Sequence, residues 1–224
     1  MQPGGDREIC HRSARLKRVN WQSVTPPYPA TLNPEVLLAA YCQGAFPMTD
    51  HDGATRWYTA DPRGVLPLDG FHCSRTLRQI VKQQRFQIRI DHDFEGTMRA
   101  CMTKPRKESD TSWISEELVE AYAKLHDLGC AHSVEAYEKG VLVGGLYGVA
   151  IGAAFFGESM FQTVSNASKV CLVHLVQRLQ SRGYELLDTQ MVTAHMRQFG
   201  CVHIPLKEYM EKLNVALEKR CSFV

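Results

Sequence analysis

Hydrophobic and polar positions change period several times along this chain, and the changes mark out its elements. Asn33, Pro34 and Glu35 form a helix start: a capping amide, a proline at the first helical position and an acid at the positive end of the dipole. Gly44 ends that helix, AFPMTDHDG reads as a loop, and WYTADPRGVLPLDG reads as a short strand broken by prolines. A second helix begins near Ser74 and runs toward Gln84, and FQIRI at residues 86–90 alternates as a strand. Ser115 caps a helix with Glu116 and Glu117 in its first turn and an apolar stripe of Leu118, Tyr122, Leu125 and Leu128, ended by Gly129. AHSVEAYEKG, VLVGGLYGVAIG and AAFFGESMF then read as consecutive antiparallel strands. A long helix from about Asn166 to Arg182, a strand at ELLDTQM, a short helix at TAHMRQFG, a strand at VHIPL and a final helix at KEYMEKLNVALEK complete the chain. This order predicts an α+β fold with a mixed sheet and flanking helices, preceded by a smaller N-terminal α/β region.

Composition narrows the class. A chain of 224 residues with 44% hydrophobic and 22% charged residues can fold as one medium domain or as a domain with a smaller partner. Residues 1–20 carry five basic and two acidic side chains and read as a mobile tail, residues 21–70 as a small N-terminal domain, and residues 71–224 as the main domain. The uncharged stretch from Gly140 to Gly157 raises the question of a membrane span, but its glycines divide it into short apolar clusters that fit two buried strands and a turn. The N-terminus has no apolar core and is not read as a secretory signal. The eight cysteines are dispersed without a CxxC pair, which fits free thiols in a reducing compartment rather than a zinc or redox motif. A net charge of +2 does not by itself mark a nucleic-acid binder.

Four groups of residues carry candidate chemistry. In ELLDTQM, strand alternation puts Asp188 and Gln190 on one face and Leu187 and Thr189 on the other; an exposed edge strand accounts for the pair as well as a reaction centre does. Glu158 follows a glycine where an apolar strand leaves the core, so it is either a surface strand end or a carboxylate beside an apolar pocket. Ser165 or Asn166 stands where it could cap the long helix, whose first N–H groups could meet a phosphate. Arg75, Arg78, Lys82 and Arg85 are spaced by three and four, so on a helix they form one stripe able to lie along a phosphate backbone or simply to face solvent. Lys104, Arg106 and Lys107 form a weaker basic cluster in an expected loop. The nine histidines show no metal-binding spacing, and there is no P-loop and no GxGxxG.

WYTADPRGVL, TSWI, CAHSVEAY, LVGGLYGVAIGAAFFGESMF, NASKVCLVHLV, LLDTQM and HMRQFGCVHIP, in this order from about Asn33 to Tyr209, resemble the bacterial leucyl/phenylalanyl-tRNA–protein transferases. The resemblance implies a GNAT-like (acetyltransferase-type) catalytic domain behind the N-terminal one. It implies transfer of Leu or Phe, with Met as a further candidate, from leucyl-tRNA or phenylalanyl-tRNA to the N-terminal Arg or Lys of acceptor proteins. The product is a new peptide bond that marks the acceptor for N-degron degradation in the cytoplasm. No metal or other cofactor and no membrane is implied. Asp188, Gln190 and Glu158 match the family's reaction centre, and Trp113 matches a residue that holds the tRNA 3′ end. The substrate contacts expected with it are Tyr122 and an apolar set of Leu146, Phe155, Met160, Leu172, Leu175 and Leu187, with Arg75, Arg78, Lys82 and Arg85 for tRNA. The chain departs from the pattern at Met48, where an aromatic usually follows FP, at Trp57-Tyr58 in place of WW, and at Gln162 in place of Ser. It also lacks the usual glycine-rich lead-in before the first helix.

The residues suit such a reaction. An aminoacyl ester is already activated, so an attacking amine needs positioning, proton removal and a stabilised oxyanion. Asp188 could accept the proton or polarise a neighbour that does, and Gln190 could orient Asp188 or donate to the oxyanion. An apolar pocket admits Leu and Phe and leaves a charged side chain unpaired. Two other readings compete. An acyl-CoA N-acetyltransferase would cradle pyrophosphate in a glycine-rich turn, but here that turn reads TVSNASK; a non-catalytic RNA-binding module would leave Asp188 and Gln190 without a purpose.

Overall fold

A computed structural model describes residues 20–23, 32–104 and 112–224. The expected tail lies, but for Asn20, outside the described residues, as do Arg106 and Lys107. The elements are β1 (Asn20–Ser23), α1 (Pro34–Cys42), β2 (Phe46–Thr49), β3 (Thr55–Asp61), β4 (Arg63–Val65), α2 (Arg75–Lys82) and β5 (Gln87–Ile90). There follow α3 (Phe94–Thr103), α4 (Glu116–Asp127), β6 (Ala131–Glu138), β7 (Val141–Ile151), β8 (Ala154–Gln162) and α5 (Ala167–Ser181). The chain closes with β9 (Leu186–Gln190), α6 (Ala194–Arg197), β10 (Val202–Ile204) and α7 (Leu206–Leu217).

Local chemistry explains most of these boundaries. The Asn33 side chain accepts from the Val36 N–H at 2.8 Å, and Ser115 accepts from the Leu118 N–H at 3.3 Å, so both expected caps form. Four details differ from the sequence reading. Phe46–Thr49 is a strand rather than loop, and Pro47 is tolerated because β2 is an edge of the order β1-β3-β2. Pro62 divides the expected single strand, so β3 stays in the small sheet while β4 joins the large one. Helix α3, diluted in sequence by Gly96 and Thr97, starts at Asp93, whose carboxylate accepts from Gly96 N–H at 2.9 Å. Helix α2 stops at Lys82, because Gln84 turns left-handed at φ 49°, so Arg85 falls off the stripe.

Among the described residues, the large sheet has seven strands in the order β10-β4-β9-β8-β7-β6-β5. Its described pairs are antiparallel except β8 with β9, which run parallel because α5 carries the chain back across the sheet. Both faces are covered. Phe156 and Leu186 join a cluster with residues of α1, α3, α4 and α7, whereas Phe155 and Leu187 join one with residues of α2 and α5. This is strand alternation applied to a sheet buried on both sides. The glycine-rich stretch forms β7 and the first part of β8, as expected. Among the described residues, no helix is long and apolar enough to cross a membrane.

Candidate active site at the split between two parallel strands

Three local irregularities converge on one point of the large sheet. First, the parallel pairing of β8 and β9 ends at Phe156 opposite Asp188, so the strands part immediately beyond. Second, Tyr147 faces Ser159 while Gly148 faces Gly157, which makes Glu158 the extra residue of a bulge in β8. Bulges re-aim side chains and disturb alternation. Accordingly Glu158 lies within β8, not where that strand leaves the core. Third, Gly64 faces Gln190 while Val65 faces Asp188, so Thr189 is the extra residue in β9.

Strand β9 is interior, which removes the edge-strand explanation for its polar pair. Asp188 is fully buried and Gln190 is 8% exposed. Asp188 Oδ1 accepts from Arg63 Nε at 3.0 Å and from the Gln190 N–H at 2.8 Å. Its Oδ2 accepts from Arg63 Nη2 at 2.7 Å and from the Tyr209 hydroxyl at 2.8 Å. Burial alone would lower the Arg63 pKa; the Asp188 carboxylate more than offsets this and keeps the guanidinium charged. Tyr209 is pushed well above the usual phenol range by burial, reinforced by the Asp188 charge, and so remains a donor.

Glu158 occupies a different setting. Its Oε1 accepts from the Tyr41 hydroxyl at 2.7 Å and from Gln190 Nε2 at 3.3 Å. Tyr41 in turn shares a short hydrogen bond with Tyr122, and burial holds both phenols well above their usual range. Part of Glu158 reaches solvent, yet the protein packed around it pushes its carboxyl up to about 8. Burial is the main cause; the Asp188 charge adds to it, while the Tyr41 hydrogen bond and Arg63 oppose it. The structure thus joins Asp188, Gln190, Glu158 and Tyr122 in one chain of contacts. It adds Arg63, Tyr41 and Tyr209, which the sequence reading missed. Only Arg63 carried a signal: a charge placed between a proline and the apolar start of a strand.

Residues 65–214 match the family described as "Leucyl/phenylalanyl-tRNA protein transferase", and residues 30–61 match that family's N-terminal domain. This chain belongs to the leucyl/phenylalanyl-tRNA protein transferase family. A relative of that name from Gloeobacter violaceus is 50% identical over 194 residues, covering 86% of this chain and 98% of its own length. One from Rubrobacter xylanophilus is 49% identical over 193 residues, with the same two coverages of 86% and 98%. The family is one of aminoacyltransferases. A solved structure, that of L-PGS from Bacillus licheniformis, overlaps with a TM-score of 0.40 at 12% identity, covering 81% of this chain and 62% of that one.

The other residues expected from the family pattern fall in three places. Leu146, Phe155, Leu172, Leu175 and Leu187 are buried together on the α5 face, with Met160 half-buried against them. That is the opposite face from Asp188, but adjacent along the strands: Leu187 precedes Asp188, and Met160 lies two residues beyond Glu158. Trp113 and Met48 are half-buried against the other cluster, and the Thr49 N–H donates to the Trp113 carbonyl at 3.0 Å. Arg75, Arg78 and Lys82 are exposed on α2, whereas Arg85 lies beyond the helix and is paired with Glu138 at 2.6 Å. Asn166, expected as a possible cap, instead adopts a left-handed backbone with φ 69° and makes no side-chain cap bond.

Proposed function

We propose that the protein transfers Leu or Phe, with Met as a further substrate, from aminoacyl-tRNA to the N-terminal Arg or Lys of acceptor proteins. The new peptide bond marks the acceptor for N-degron degradation in the cytoplasm, and the catalytic domain is GNAT-like. The observation that carries this reading is the Gln190 side chain. Its amide nitrogen donates to Glu158 at 3.3 Å beside the strand split, and in this reading its carbonyl oxygen is the end that meets the substrate.

In this reading the acceptor's α-amine attacks the ester carbonyl carbon. A C–N bond forms, the C–O bond to the tRNA ribose breaks, and the amine's proton ends on the departing ribose oxygen. Gln190 accepts a hydrogen bond from the amine and orients it; an amide is too weak a base to keep the proton. Asp188 has both oxygens occupied and is fully buried, so it acts by holding Gln190 rather than by receiving the proton. Glu158 fixes which end of the Gln190 amide faces the substrate. The Leu146, Phe155, Met160, Leu172, Leu175 and Leu187 group selects an apolar side chain. Trp113 and Tyr122 contact the aminoacylated 3′ end. Arg75, Arg78 and Lys82, exposed together on α2, meet tRNA phosphates.

The test is incubation with labelled leucyl-tRNA and a peptide beginning with Arg, beside a reaction given acetyl-CoA. Transfer of leucine and none of acetyl supports the reading; acetyl transfer at a comparable rate overturns it. Replacing Arg75 and Arg78 by Ala should reduce the salt dependence of tRNA binding by about one log unit per lost contact. An unchanged slope would leave α2 a solvated face.

A further inference from the structure

We infer that Arg63 is a positioning residue for the transfer reaction, locking Asp188 and through it the backbone turn that aims Gln190 at the strand split. This rests on the reading of Gln190 given above. Gln190 has φ 54°, a left-handed conformation that residues other than glycine rarely adopt. The Met191 N–H donates to the Thr189 carbonyl at 2.5 Å, which closes a three-residue γ-turn with Gln190 at its centre. Such a turn persists only where its surroundings enforce it. Among the described residues, the side chain that accepts from the Gln190 N–H is Asp188, and the orientation of Asp188 is fixed by the two-pronged contact with Arg63.

Arg63 has no freedom of its own. It is fully buried, its Nη1 donates to the Gly44 carbonyl at 2.8 Å, and its guanidinium lies 4.8 Å from the Phe46 ring centre and 4.5 Å from that of Tyr209. The next residue shapes the same turn. A Cβ on Gly64 would lie 2.4 Å from the Met191 carbonyl carbon, so only glycine lets β4 approach the turn this closely. Residues 63 and 64 therefore constrain Gln190 twice, through charge and through close contact. A buried ion pair is poor evidence for stability, since apolar replacements often serve as well. Its distinctive capacity here is to fix a strained backbone.

Arg63→Lys keeps the charge but loses the fork that grips both carboxylate oxygens. It should lower kcat by about 10- to 100-fold, as expected for a reacting group displaced by roughly 1 Å, while KM for leucyl-tRNA stays within about twofold. The deciding measurement is a cycle with Gln190→Ala. If Arg63 acts through Gln190, the double variant is no more than about twofold slower than the slower single variant. Multiplicative losses would assign Arg63 a structural role and overturn the inference. A Gln190→Ala protein with unchanged kcat would overturn the reading beneath it as well. Should Arg63→Lys fail to fold, Tyr209→Phe removes one Asp188 hydrogen bond and keeps the ring, and the same cycle with a smaller loss decides the question.

Discussion

Glu135 on β6 and Glu158 on β8 lie in the same sheet, two strands apart, and their surroundings differ in the number of donors they meet among the described residues. Glu135 is fully buried and accepts four hydrogen bonds: from the N–H groups of His92 and Asp93, from the Ser133 hydroxyl and from the Tyr137 hydroxyl. Those backbone donors belong to the turn between β5 and α3, so this carboxylate fastens a connection. Glu158 accepts from one phenol and one amide, sits on a bulge, and has its carboxyl pushed up to about 8 by burial. Asp188 resembles Glu135 in being saturated with donors, but its donors lead to Gln190. The lesson is that burial alone does not mark a functional carboxylate. A carboxylate supplied with many donors holds its neighbours in place, whether a turn at Glu135 or Gln190 at Asp188, whereas burial pushes the sparsely supplied Glu158 up to about 8.

Breaking the comparison at its most strongly held member should have the largest effect. Asp188→Asn leaves the buried Arg63 guanidinium without its counter-charge, an expected loss of roughly 3–5 kcal/mol in denaturant unfolding. In the folded fraction, transfer should fall by about 10²-fold or more through misplacement of Gln190. Near-wild-type turnover would separate Asp188 from the reaction. Glu135→Gln should cost about 1–3 kcal/mol, because it replaces a charged acceptor by a neutral one toward the backbone donors and sets an NH₂ against the Tyr137 hydroxyl. Its kcat in the folded state should be unchanged; a fall there would erase the distinction between the two carboxylates.

Glu158→Gln should alter pH dependence more than stability. A carboxyl pushed up to about 8 holds its proton at neutral pH in the folded protein and loses it in the unfolded chain. Stability is therefore drawn down as pH rises from the ordinary carboxylate range toward about 8, and the variant should lose that decline in a series of melts. Transfer should rise with pH as Glu158 and the acceptor's α-ammonium both lose a proton, the first becoming a carboxylate and the second a neutral nucleophile. The slope of log rate against pH below neutrality should drop from about two to about one in the variant. The smallest change is Tyr41→Phe. Removing the hydrogen bond that favours ionised Glu158 should move the midpoint of that profile upward, and a downward move would contradict the assignment.

Much of this was determined by the sequence. Caps at Asn33 and Ser115, the helix-ending Gly129 and the period change after it fix most elements through interactions within a few residues. Asp188 and Gln190 were legible as a polar pair within one strand, and the ordered motifs from Trp57 onward pointed to the family. The tertiary structure alone decided what surrounds them. Bulges at Glu158 and Thr189 depend on how neighbouring strands register, a property of partners distant in the chain. The bulge at Glu158 also lets Phe156 and Phe161 share one cluster while Met160 packs against the other, which strict alternation from Phe156 would have reversed. Arg63 and Tyr209 are 125 and 21 residues from Asp188, and no local pattern announces a contact over such distances. Local chemistry chooses helix, strand and turn, whereas the ionisation and aim of a side chain follow from the donors and charges that folding brings to it.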